Sequence, residues 1–178
     1  MAHGRPREED PYHVVWNRLA LPKHNFIAWL YAKDRLLTKD RLIKHGLLID
    51  GNCDICSNAI ETSEHLFFLC SFSNRCLQGI GDWLGVDIPE HGTLDWCRKL
   101  KMKSLMKKQL IIAAILALYY HVWWVRNKCR KEMVLPHPQL FVIGRVQQLI
   151  RSVGNRKLWN TKHRVDSEWC TKVDIRMQ

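Results

Sequence analysis

The chain alternates segments whose apolar residues recur at helical spacing with polar, turn-rich breaks. Pro22 suits the first turn of a helix, and Phe26, Ile27, Trp29 and Leu30 then repeat on a helical period. Thr38 is placed to cap a second, short helix with Leu42 and Ile43 as its apolar side and Gly46 as its stop. Ser63 is placed to cap a third, carrying His65 to Cys70, and Thr93 a further one. From Lys101 to Arg130 the pattern is helical around an apolar run, Leu110–Val125. Pro136 and Pro138 break it before an amphipathic segment at 140–153. The predicted fold class is mostly α.

The loop at 86–93 is the best boundary. It divides a leader at 1–11 and an N-terminal unit at 12–86 from a helical region at 93–152, with a basic tail at 153–178 that has no clear periodicity. Trp16, Trp29, Trp123 and Trp124 read as core residues. Leu110–Val125 is shorter than the ~20 apolar residues of a spanning helix and is interrupted by His121, so it reads as a buried core helix. No membrane partner is expected.

Cysteine usage changes the picture. The first residues carry no apolar signal-peptide region, so an intracellular chain, nuclear or cytoplasmic and not secreted, is expected, with its thiols reduced. The chain has seven cysteines, and Cys53, Cys56, Cys70 and Cys76 cluster. The arrangement Cys53-x2-Cys56-x8-His65-x4-Cys70 offers thiolates and an imidazole, the ligands Zn2+ prefers, and four of them close a tetrahedral structural site. His65 and Cys70 are about one and a half helical turns apart, so they converge only where the backbone bends near a helix end. Cys76 is the rival for the fourth ligand. Cys97, Cys129 and Cys170 lack partners in sequence and read as buried thiols.

At these residues a family resemblance emerges. Trp16, LPKHNFIAWL at 21–30, DRLLTKDRLIKHG at 34–46, Cys53-Asp-Ile-Cys56, Glu61-Thr62 and His65-Leu-Phe-Phe-Leu-Cys70 follow an ordered pattern across about 70 residues. It resembles the zinc-binding domain that follows the reverse transcriptase in plant LINE-type (non-LTR) retrotransposon polyproteins. Three positions depart from that pattern. The second cysteine is usually followed by glycine and here by Ser57, and the last by proline and here by Ser71. A tryptophan expected soon afterwards is replaced by Cys76-Leu77. The resemblance implies a small helical domain with one structural zinc on Cys53, Cys56, His65 and Cys70, followed by a helical C-terminal region. It also implies an ancestral role in gripping template RNA or target DNA.

Charge bears on the partner. Lys and Arg total 28 against 17 Asp and Glu, a net charge of +11, which favours acidic partners. The candidate phosphate contacts are Lys33, Arg35, Lys39, Arg41 and Lys44 before the cysteine turn, Arg126 and Lys128 in the run RNKCRK, and Arg156 and Lys157 near Trp159 and His163. There is no Asp-Asp pair, no evident carboxylate cluster for a ribonuclease H or endonuclease site, and no P-loop or dinucleotide-binding glycine motif, so neither catalysis nor a small-molecule substrate is expected. The expected function is a zinc module binding RNA or DNA non-catalytically. The alternatives are a protein-interaction zinc domain, marked by exposed apolar surface around Leu66–Phe72, and a retroelement relic without nucleic-acid binding.

Overall fold

The structure, a computed structural model, describes residues 12–47, 50–132, 139–157 and 166–176. The leader proposed for 1–11 lies outside them. Among the described residues, eight α-helices and one π-helical turn follow in order: α1 (Tyr12–Val15), α2 (Pro22–Ala32), α3 (Lys39–Lys44), the π turn (His65–Leu69), α4 (Ser71–Leu84), α5 (Thr93–Lys99), α6 (Leu105–Glu132), α7 (Gln139–Lys157) and α8 (Ser167–Lys172). Among the described residues no strand forms, and Asn52 and Ile60 make an isolated antiparallel bridge.

Helix α6 is the axis of the fold. Every residue from Leu110 to Tyr119 is buried, which is why this stretch is apolar all round and not on one stripe. α6 is long and apolar enough to cross a membrane by length and composition, yet here α2, α7, α4 and the π turn pack around it. α7 lies along both α4 and α6, and α8 returns to α4. Gly79 lets α7 come close: a Cβ there would stand 2.6 Å from Ile143 Cδ1. One apolar core results, running from Val14 to Ile175 through both sides of the 86–93 loop.

Several local expectations are corrected. The buried residues of α2 are His24, Asn25, Ile27 and Ala28, while Phe26 is 50% exposed, because Asn25 donates to the Asn17 carbonyl and His24 packs on Tyr120. Trp16 is 41% exposed, whereas Trp29, Trp123 and Trp124 pack against the core as expected. The tail contains α8, which is anchored by Trp169 Nε1 donating to the Leu84 carbonyl at 2.7 Å. Gly46 does end α3: with φ +69° it takes the left-handed position, and Gly46 and Leu47 donate back to Ile43 and Leu42.

Candidate metal centre

The turn at 50–61 is built by short backbone bonds. Cys53 N–H donates to Ala59 O, Ser57 N–H to Cys53 O and Glu61 N–H to Gly51 O, all at 2.8 Å. The chain reverses through Ser57, whose φ is +56°. That explains the glycine expected there, since a Cβ is disfavoured in the left-handed region.

Thr62, and not Ser63, caps the next segment. Its hydroxyl accepts from His65 N–H at 2.9 Å and its carbonyl from Leu66 N–H. From His65 the backbone widens into a π turn, closed by Cys70 N–H donating to His65 O at 2.7 Å. In an α-helix, residues five apart sit ~140° apart around the axis. The π turn's i→i+5 bond brings His65 and Cys70 back to one side. Cys70 itself leaves the helix (φ −64°, ψ 127°) and stands before α4. Ser71 therefore takes the first position of α4, the place proline favours, and Cys70 already has the extended backbone a following proline requires. Cys76 and Leu77 fill the interior where the tryptophan is expected.

The ligand atoms of Cys53, Cys56, His65 and Cys70 all lie within 4.8 Å of one another, and Cys56 Sγ is 3.3 Å from His65 Nε2. Bonds of ~2.3 Å to sulfur and ~2.0 Å to nitrogen give tetrahedral edges of roughly 3.5–3.8 Å, so the donor set fits a four-coordinate ion. Cys53, His65 and Cys70 are buried and Cys56 is partly exposed. Burial holds the His65 imidazole below its ordinary pKa, which favours the neutral, metal-binding form. Cys70 is acidified by its hydrogen bond with Cys53 and by the Phe72 and Ser73 N–H groups at the start of α4. Cys53 is pushed the other way by the same bond and by burial. Cys76 does not join the cluster. It lies on α4 with Sγ 3.9 Å from the Gln139 carbonyl of α7, its thiol pushed up to about 12 by burial. Cys97, Cys129 and Cys170 are buried thiols.

Beneath the turn lies a charged network that the sequence did not reveal. Glu61 is fully buried, and its carboxylate accepts from Arg126 Nε and Nη2, from the Lys39 N–H and, at 3.5 Å, from the Asp54 N–H. Lys39 Nζ pairs with Asp54 at 2.6 Å and Asp50 at 3.0 Å. Arg126 and Lys39 are thus corrected as phosphate contacts: their side chains are 3% and 8% exposed and their charges are neutralised internally.

Of the other basic candidates, Arg41 pairs with Asp34, Lys44 with Asp40 and Lys128 with Glu132. Arg156 is exposed and donates to the Ser152 carbonyl. Lys33 and Arg35 are exposed, with no acidic partner among the described residues. The Lys157 side chain, Trp159 and His163 lie outside the described residues. Within Leu66–Phe72, Leu66, Phe67, Phe68, Cys70 and Phe72 are buried and Leu69 is 51% exposed, so the broad apolar surface of a protein-docking face does not form there.

Comparison with curated proteins and with solved structures gives no match. Residues 1–76, however, match the family described as zinc-binding in reverse transcriptase, and all four converging side chains fall inside that span.

Proposed function

We propose that the chain is a structural-zinc module that binds RNA or DNA without catalysing a reaction on it. The observation that carries this is the closed Cys3His shell inside the matched span: four protein ligands leave no open position for a reacting water. Zn2+ bound there ties the 50–61 turn to the start of α4. The finer reading, descent from the C-terminal part of a plant LINE-type polyprotein, rests on the ordered motif from Trp16 to Cys70.

The nucleic-acid part rests on the net charge of +11 and on exposed cations such as Lys33 and Arg35 that make no ion pair among the described residues. Such groups displace counterions from phosphates and give salt-sensitive affinity. Titrating the zinc-loaded chain against single-stranded and hairpin RNA at several salt concentrations tests it, and affinity should fall steeply with salt. No binding at low salt would overturn it in favour of a protein partner. Exposed Ile43 and Ile60, adjacent over Gly51 beside the cysteine turn, are what favours that second reading.

A further inference from the structure

A cleft of about 210 Å3 opens between α2, α6 and α7, lined by Lys23, Tyr120, His121, Trp124, Phe141 and Arg145. Its composition is unusual: four aromatic rings and two cations, with no carboxylate. Lys23 and Arg145 are exposed, and neither has an acidic partner among the described residues. Each rests instead on a ring. Lys23 Nζ is 4.6 Å from the Tyr120 centroid, and the Arg145 guanidinium 5.2 Å from that of Phe141. Trp124 stacks on Phe141 at 5.8 Å. Behind the wall, His24 is buried with both ring nitrogens unpartnered, 4.9 Å from the Tyr120 ring and 5.8 Å from His121.

We infer that this cleft holds one unpaired nucleotide of a single-stranded RNA or DNA, its base against the aromatic wall and its phosphate between Lys23 and Arg145. Three observations favour that occupant. The volume lies below the ~300–1,000 Å3 of pockets for larger ligands, so one ring system fits and a base pair does not. Aromatic faces accept any base by stacking, whereas apolar ligands would gain nothing from two cations that have no acidic partner among the described residues. Finally, the contacts of Lys23 and Arg145 with the rings are weak at exposed sites, and both side chains are long enough to swing off as a base takes their place. The cation then moves onto the phosphate that arrives with the base. The site deepens the nucleic-acid reading above and rests on it: that reading requires only phosphate contacts, while this one requires stacking as well.

The test uses the full zinc-loaded chain and two labelled RNAs, a ten-residue oligoadenylate and a blunt duplex, followed by fluorescence anisotropy. Tyr120→Leu, which removes the ring without altering charge, should weaken oligoadenylate binding between about fivefold and a hundredfold and change duplex binding less than twofold. Because Tyr120 also touches the core, a second variant is needed. Lys23→Gln with Arg145→Gln, both on the surface, should weaken oligoadenylate binding more than the charge-matched pair Lys101→Gln with Lys103→Gln. Oligoadenylate binding that ignores both sets, or that falls equally with duplex binding, overturns the cleft and leaves the broader reading standing. Absence of binding to either RNA by the unaltered chain overturns both.

Discussion

The guanidinium of Arg126 holds the carboxylate of Glu61 through Nε at 3.1 Å and Nη2 at 2.5 Å, across 65 residues of sequence and with neither side chain more than 3% exposed. It fastens the axial helix to the start of α3, since Arg126 also donates to the Leu37 carbonyl and Glu61 accepts from Lys39 N–H. It fastens the same helix to the cysteine turn, since Glu61 also accepts from the Asp54 N–H. Removing one partner strands a buried charge. Arg126→Met should therefore cost about 3–5 kcal/mol in urea unfolding, and pairing it with Glu61→Leu should recover a large part of that. Equal losses in the single and double variants would show that the pair does not act as a unit.

Metal should be inseparable from the N-terminal half. Chelation is expected to lower hydrogen-exchange protection in the 50–84 segment before α6 and α7 respond, because the ion's binding energy is folding energy there. His65→Ala should lose the metal by elemental analysis and Cys76→Ser should retain it. Retention by the first, or loss by the second, would reassign the fourth ligand.

The cap is a sharper target. Thr62→Ala should destabilise by ~1 kcal/mol and speed metal release, while Ser63→Ala should be near neutral, since the Thr62 hydroxyl receives the His65 N–H. The reverse ranking in thermal unfolding would contradict the geometry.

Two departures from the family pattern should be repairable. Ser57 sits at φ +56°, so Ser57→Gly removes a left-handed strain of ~1–2 kcal/mol, offset in part by glycine's looser unfolded state. Ser71→Pro places proline at the first position of α4, behind an already extended Cys70, and should add ~0.4–1 kcal/mol. A fall in melting temperature with either would mean that the serine holds a contact worth more than the strain.

Acid should weaken the fold through two histidines remote from the cysteines. His24 is lowered to about 4 by burial and then by His121 and Lys23, and His121 to about 4 by burial and the charges of Lys23 and Arg145. The unfolded chain takes up their protons first, so stability rises with pH between about 4 and 6.5 and is lost as pH falls through that window. A shift of this size on His24 corresponds to at most about 3–4 kcal/mol, and because His121 is one of the groups that lower His24 the two contributions will not add fully. His24→Leu should flatten the difference in unfolding free energy between pH 7 and pH 5. An unchanged difference would place the acid sensitivity elsewhere, His65 being the next candidate.

The ligand set was legible because CxxC and His-x4-Cys encode chemistry directly in residue type and spacing. How the last two ligands converge was not, since several backbones can bring residues five apart together and nothing in HLFFLC announces a π turn. Arg126 misled for a different reason. In RNKCRK it looks like one of several solvated cations, and only Glu61, brought close by tertiary packing, sets it apart. The helical pattern gave α6 and α7 well but missed α8, a six-residue helix held by one tryptophan hydrogen bond instead of by its own periodicity. On α2, the hydrophobic count pointed towards Phe26, whereas the structure buries His24 and Asn25.

The family match ends at Cys76, six residues into α4, whereas the aromatic knot that seats the π turn does not end there. Phe67 and Tyr31 close around Tyr119 of α6, at ring separations of 4.8 and 5.2 Å. A chain cut where the family resemblance stops would keep all four side chains of the candidate metal centre. It would also leave Glu61 without its cation and a cluster of rings open to water. What recurs between proteins as a recognisable stretch is here smaller than what must fold together, and the helices beyond it serve as the missing wall of the metal centre.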